Sequence, residues 1–448
     1  MRFAFPALVL SSLLVHASAL VAQAPLPNAP EPAAGAQAGQ TAPLPGSGQA
    51  ANPGLTIEQA IDLARKNNPT LRANQTLISQ NKAQEITANL RPNPVISWDL
   101  QYLPIFQPSL FGDSTYWEDQ TQYDAGIGYL FERGKKRQHR LQAARDTTSV
   151  TESQVADAER LAIGTLTQQF VAALQAKSDL EFATKALDTF QHTLQISEER
   201  HKAGAMSKSD LLKIQLQVLQ FETDLNTAKL NYHQSLNALR QSIGFDSVPP
   251  TYDVAGQLAY EPVLASLDDL QNLAVTLRPD LQASIRGVTA AQSQIDLAKA
   301  NAKQDLNVTF DYTHANTANL GALYFNIPWA LFNKNQGEIE RTKYVLTQTQ
   351  FQQKAVAQAV ATNVKTAYDA LKASEELVDH YTKGYLDKAQ QSLEITQFSY
   401  EHGATSLLDF LDAERSYLST ELGYRQVLAN YMNALEQLRL AVGARDLR

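Results

Sequence analysis

Hydrophobic positions along this chain alternate between two periods. Over about 94–103, Ile96, Trp98, Leu100 and Tyr102 alternate with Ser97, Asp99 and Gln101, and over about 121–131, Tyr123, Ala125, Ile127, Tyr129 and Phe131 form one apolar face. The alternation returns over about 306–314, where Leu306, Val308, Phe310 and Tyr312 alternate with Asn307, Thr309, Asp311 and Thr313. Leu323, Phe325 and Ile327 mark a fourth segment over about 320–328. A period of two is that of a strand with one apolar face, so four amphipathic strands are predicted. Each strand pair is followed by a helix of unusual length. Neither Arg140 to Lys202 nor Glu338 to Glu401 contains a proline, and Gly164 and Gly384 are the only interior glycines. At 1.5 Å per residue, some sixty residues make a helix about 95 Å long.

Each long helix runs to a glycine, Gly204 or Gly403, suited to a left-handed C-cap. A capping box then opens a return helix, Ser207 with Asp210 and Ser406 with Asp409. The second return helix carries Leu407, Leu411, Leu418, Leu422, Val427, Tyr431, Leu435 and Leu438, mostly three, four or seven apart. That spacing is the seam of an antiparallel helical hairpin. One offset of 199 residues relates the two halves: Gly204, Asp210, Tyr232, Leu239 and Gly244 recur as Gly403, Asp409, Tyr431, Leu438 and Gly443. Each half also opens on a short capped helix that runs to a proline, Pro69 or Pro279. The chain is a tandem duplication of long elements, unlike a solenoid of short repeats.

The N-terminus places Arg2 before an apolar run from Phe3 to Val15, with Ala17-Ser18-Ala19 as a small-residue cleavage site. Export is therefore expected. The predicted layout is a signal peptide over 1–24, a Pro/Ala/Gly-rich disordered leader over 25–54, a first repeat over 55–248, a linker over 249–265, a second repeat over 266–443, and a short tail over 444–448. The sequence has no cysteine, which excludes disulfides and a lipid-modified N-terminal cysteine. A net charge of −8 argues against a nucleic-acid partner.

A soluble sheet packed on a core has the same alternation as a sheet facing lipid. Export and the aromatic content of the apolar faces favour lipid. Four strands cannot close a membrane barrel, and open edges are not tolerated in hydrocarbon. Copies must combine: two give eight strands and three give twelve.

These residues resemble the outer membrane factor family, the TolC-type exit ducts of tripartite efflux and secretion systems, over nearly the whole chain from Leu55 to about Gly443. Ile327-Pro328-Trp329-Ala330-Leu331-Phe332-Asn333-Lys334-Asn335-Gln336-Gly337-Glu338-Ile339 and Arg133-Gly134-Lys135-Lys136-Arg137 are similar to the heavy-metal branch, and Tyr400 to Arg415 to the family's periplasmic tip. The resemblance implies a mainly α fold with a membrane β-barrel portion. It would be a homotrimer in the outer membrane, with four strands per protomer in one twelve-stranded barrel and a long periplasmic α-helical barrel. The implied partners are a periplasmic adaptor, an inner membrane pump and outer membrane lipid. The implied function is passive export, with heavy-metal cations as leading cargo and drugs or a type I secreted protein as alternatives. A periplasmic adaptor and an exported coiled-coil scaffold are rivals of another class, though two hairpins and four amphipathic strands stand against them.

Candidate gate residues follow from the tips. Asp409 and Asp412 lie three apart, hence on one helix face. In a trimer they would form two rings of three carboxylates at the entrance, attracting cations. Asp409 has the competing role of a capping residue. The first-copy equivalents are Asp210 and Lys213, and Lys213 is expected either to pair with Asp409 or Asp412 or to stay solvated. The resemblance implies a link across the closed tip through Tyr400 and Asp210, while Thr405 replaces the family's arginine. It also makes the tip residues Gly204, Met206, Ser207, Gly403, Thr405 and Ser406 the adaptor contacts. Arg133, Lys135, Lys136, Arg137 and Lys334 fall at strand-to-helix junctions, where they would meet lipid headgroups. Trp98, Trp117 and Trp329 are candidate belt residues. The histidines form no pair at ligand spacing, Met206 and Met432 are the only methionines beyond Met1, and no nucleophile–base arrangement or phosphate loop is present. Neither an enzyme, a cofactor nor a resident metal is expected.

Overall fold

A computed structural model describes residues 54–447. The expected signal peptide, and all but the end of the expected leader, lie outside the described residues. The elements run α1 (Ile57–Asn67), α2 (Pro69–Asn89), β1 (Val95–Gln101), α3 (Ser114–Asp119), β2 (Gln122–Phe131), α4 (Lys136–Lys202) and α5 (Lys208–Ile243). The second copy repeats the plan as α6 (Leu267–Leu277), α7 (Pro279–Asn301), β3 (Leu306–Ala315), β4 (Ala318–Asn326), α8 (Gln336–His380), α9 (Leu386–Glu401) and α10 (Leu407–Val442). No helix among the described residues is long and apolar enough to cross a membrane.

The strands form one antiparallel sheet in the order β1-β2-β3-β4. Its register lines up Ile96, Ile127, Phe310 and Leu323, then Trp98, Ala125, Tyr312 and Gly321, on one face. Ser97, Gly126, Asp311 and Ala322, and Asp99, Asp124 and Thr313, line up on the other. Because side chains alternate, a slip of one residue would invert both faces. The apolar face is bare: Ile96 is 80% exposed, Trp98 74% and Phe325 65%.

Sheet and helices meet at two tight turns. The residue before α4, Lys135, and the residue before α8, Asn335, both take left-handed backbone (φ 56° and 60°). Arg140 clamps the first junction, pairing with Glu132 at 2.5 Å and donating to the Ala88 and Leu90 carbonyls that end α2.

The 67 residues of α4 form one continuous helix of about 100 Å. Gly164 does not break it. Instead it admits a neighbour, because a Cβ there would lie 2.8 Å from both Cδ atoms of Leu440 on α10. The second long helix is not continuous, contrary to the unbroken span expected from its lack of proline. It loses helical geometry at Lys383 and Gly384, between α8 and α9.

Three apolar cores hold the helices. One gathers Ile61, Phe170 and Leu239 from the first repeat with Val254 from the linker, and one gathers Leu270, Val364, Leu371 and Tyr431 from the second. The third joins the two hairpins near their tips through Phe190, Ile214, Phe221 and Phe410. Beside that third core, on the α10 seam, stands a buried carboxylate, Glu414. Burial alone pushes it up to about 8.

Gly164→Val should cost about 1–3 kcal/mol by overpacking against Leu440, read as a lowered thermal midpoint of the purified protein. For Glu414, folded and unfolded chains both keep the proton below the ordinary carboxyl range. As pH rises from there to about 8, the unfolded chain ionises first, so stability falls over that window. Glu414→Gln should match the wild type near pH 4 and melt higher at pH 8; parallel melting curves across the window would contradict this.

Candidate functional site

The two tips are built by the same local chemistry. Gly204 and Gly403 take φ of 77° and 76° and turn the chain out of the long helices. Ser207 accepts from the Asp210 amide at 3.1 Å, and Ser406 from the Asp409 amide at 3.2 Å. Ring nitrogens finish each turn: His201 Nδ1 lies 2.9 Å from the Met206 carbonyl, and His402 Nδ1 lies 2.8 Å from that of Phe398.

The four carboxylate and ammonium candidates divide by partner. Asp210 accepts from the Ser207 hydroxyl at 2.8 Å and from Lys213 at 3.1 Å, and these bonds hold it below the usual carboxylate range. Lys213 therefore pairs with its own turn within the protomer. Asp409 accepts from Ser406 at 2.6 Å and Thr405 at 3.0 Å, which also lowers it. It is the N3 member of the capping box whose N-cap is Ser406, as its spacing allowed. Asp412 carries no capping bond. Among the described residues it pairs with Arg415 at 3.6 Å, with both side chains well exposed, so the carboxylate is only loosely held.

Tyr400 is placed by a stack. Its ring lies parallel to that of Phe410 (5.2 Å, 5°), and the Arg200 guanidinium sits 5.8 Å over it. Arg200 also donates to the Glu401 carbonyl at 2.7 Å. Burial chiefly raises the Tyr400 phenol, and the nearby Asp210 charge adds to this while Arg200 opposes it. Phe410 in turn stacks on Phe190 at 6.4 Å, and Phe190 meets Phe221 at 4.7 Å. This aromatic core ties the second hairpin to the first. Nothing in the repeat marks it, because Phe190, Phe221 and Phe410 stand at different distances from their tip glycines and have no phenylalanine counterpart in the other copy.

At the membrane-side junction the basic residues separate. Arg133, Lys135 and Lys334 are exposed and Arg137 is half-buried. Lys136 does not face outward, which corrects its expected role at the headgroups. It is buried and pairs with Asp305 at 2.7 Å, while Asp305 also accepts from the Arg133 amide at 2.9 Å. Burying Lys136 requires such a partner, and the pair binds the first long helix to the start of β3. Trp98 and Trp329 are exposed, whereas Trp117 is half-buried and donates to the Phe111 carbonyl at 3.1 Å. Among the described residues no group of three or more histidines, cysteines or carboxylates is placed to hold a metal ion.

Comparison with known proteins agrees with this geometry. A family model described as outer membrane efflux protein matches residues 60–245 and again 270–444. The cobalt-zinc-cadmium resistance protein CzcC of Cupriavidus metallidurans is 23% identical over 398 residues, covering 88% of this chain and 91% of that one. The cation efflux system protein CusC of Escherichia coli O157:H7 is 22% identical over 405 residues, covering 86% and 84%. A crystal structure of CusC superposes with a TM-score of 0.71 at 18% identity, covering 87% of this chain and 92% of that one. With both copies of its repeat matched, the chain belongs to the outer membrane efflux protein family and has the fold of a TolC-like outer membrane channel with a long periplasmic helical portion.

Proposed function

We propose that this protein is the passive outer membrane duct of a tripartite efflux system, working as a homotrimer with a periplasmic adaptor and an inner membrane pump. The observation that carries the reading is the sheet. Four strands present a bare apolar face and leave β1 and β4 each unpaired on one side. In hydrocarbon each unpaired backbone group costs several kcal/mol. Closure through copies removes the cost, with β4 of one protomer meeting β1 of the next in a heterologous ring. The exposed apolar residues on α5 (Leu212, Leu216, Leu219) and on α9 (Ile395, Phe398) fit the same head-to-tail contact.

At the periplasmic end, Asp412 would supply the carboxylate ring of the constriction, since Asp409 already serves its cap. Asp210 and Tyr400 face the same entrance, and Gly204, Met206, Ser207, Gly403, Thr405 and Ser406 form the tips offered to an adaptor. Arg133, Lys135, Arg137 and Lys334 lie where headgroups would meet the junction. Heavy-metal cations are the proposed cargo, from the metal resistance and cation efflux named in the relatives CzcC and CusC. A duct need not bind what it passes, so the lack of a ligand cluster among the described residues does not oppose that cargo.

Fractionated envelopes run on unheated SDS gels test the assembly. A heat-modifiable trimer in the outer membrane fraction is expected, and a periplasmic monomer would end the proposal. For the entrance, Asp412→Asn in planar bilayers should relieve block by multivalent cations several-fold, because fewer carboxylates then attract them. Equal block in wild type and variant would remove Asp412 from the constriction.

A further inference from the structure

The linker between the repeats, residues 249–265, has an extended neighbour near one end and none at the other. Leu55 donates its amide to the Asp253 carbonyl at 2.8 Å and accepts from the Ala255 amide at 2.9 Å, so two extended segments pair in parallel. Alignment of the repeats on Pro69 and Pro279 makes Ala265 the counterpart of Leu55. Among the described residues, however, the amides of Val263, Leu264 and Ala265 donate to no acceptor. The Leu264 side chain is 94% exposed. An extended segment with free amides is a template on which a second chain can pair.

That segment borders a groove of about 1220 Å³ at the joint between the repeats, lined also by α1, α4 and the end of α10. Ile163, Leu435 and Leu440 give it apolar walls. Ion pairs frame it. Arg65 meets Glu159 at 2.8 Å, Arg160 meets Asp157 at 2.7 Å, and Arg439 and Arg445 both meet the buried Glu436, at 2.5 and 2.7 Å. Every arginine in the lining is thus held by a carboxylate. Glu58, Asp62 and Glu261 are left over, exposed and without an ion pair among the described residues.

The other copy of the repeat has no such frame. The counterparts of Arg65, Glu159, Arg160 and Glu436 are Val275, Gln358, Ala359 and Asn237, all uncharged. The charges belong to this one groove and not to the repeat as such. Position argues against a lipid occupant, because Ala156 to Thr167 lie about 30–45 Å along α4 from its start beside the sheet. A second copy is disfavoured too, since the apolar residues offered to neighbours stand on α5 and α9, which do not line the groove. Its volume exceeds the roughly 300–1,000 Å³ of small-ligand sites.

We propose that the groove receives an extended peptide segment of a periplasmic partner protein, with apolar residues flanked by lysine or arginine. Its backbone pairs along 263–265, as 253–255 pair with Leu55. Its apolar side chains cover Ile163 and Leu440, and its cations meet Glu58, Asp62 and Glu261. The proposal needs only the periplasmic position of the helices, neither a duct nor a cargo.

A fluorescein-labelled decapeptide of alternating lysine and leucine is the probe, read by fluorescence anisotropy on the assembled full-length protein in nonionic detergent. Saturable binding is expected, and the same peptide with glutamate replacing lysine should not bind. Glu58→Gln, Asp62→Asn and Glu261→Gln together should weaken binding about tenfold, the combined effect of three exposed ion pairs. No saturable binding, or equal binding by wild type and triple variant, overturns the proposal; micelles contribute equally to both proteins. Leu264→Cys gives this cysteine-free chain a single thiol on the rim. In the assembled protein that thiol should react with a maleimide as fast as an exposed thiol, and saturating peptide should slow it several-fold. A thiol already shielded without peptide shows that a neighbouring copy covers the groove, and one that bound peptide leaves unprotected places the peptide elsewhere. Either result overturns the assignment.

Discussion

A four-stranded sheet with one apolar face has two backbone edges, and water cannot satisfy those edges inside a membrane. Much of the architecture answers that constraint. The strands are short and largely alternating, with Leu130, Leu320 and Tyr324 as large apolar residues on the polar face, and this pattern keeps the register fixed. The helices that follow β2 and β4 leave the sheet through left-handed residues, Lys135 and Asn335, so that both long helices depart in equivalent ways. A protomer built like this has open edges in its sheet and exposed apolar residues on its helices, and the proposed closure through neighbouring copies would meet both needs at once.

Within the protomer, contacts between the two copies of the repeat keep the halves in step. The Lys136–Asp305 pair links the start of the first long helix to the foot of β3. Lower down, Gly164 lets α4 approach Leu440, and Arg160 donates to the Leu440 carbonyl at 2.6 Å. Arg278, buried before α7, donates to the Ala441 carbonyl at 3.0 Å and so also engages the end of α10. The Lys136–Asp305 pair and the Arg160–Leu440 bond each use a residue of the first copy to satisfy charge or backbone in the second, while Arg278 ties the start of α7 to the end of α10 within the second. Duplication alone would give two similar halves; these side chains make them one protomer.

How much of this was legible in sequence depended on whether the cause was local. Capping serines, tip glycines and alternating strand residues act within a few positions, and their outcomes could be read directly. Lys136 could not, because its partner lies 169 residues away and nothing near it marks a buried site. Glu414 was half legible: it occupies a seam position between Leu411 and Leu418, yet a carboxylate there looks like a surface residue until the fold buries it. Gly164 and Gly384 look alike in sequence as lone glycines in long helices. One gives room to Leu440 and the other adopts a φ of 135°, and only tertiary context separates them.

The exact offset between the copies makes their differences meaningful. If each hairpin had only to form part of a tube wall, selection for packing alone would leave both helices continuous, since a break forfeits helical hydrogen bonds and a glycine costs about 0.5–1 kcal/mol against alanine. The first hairpin follows that expectation, and its tip is anchored by Phe190 and Phe221. The second departs from it at Gly384 and Gly423, and it places the loosely held Asp412 beyond the break. A stability cost paid in one copy and not the other is hard to explain as wall-building.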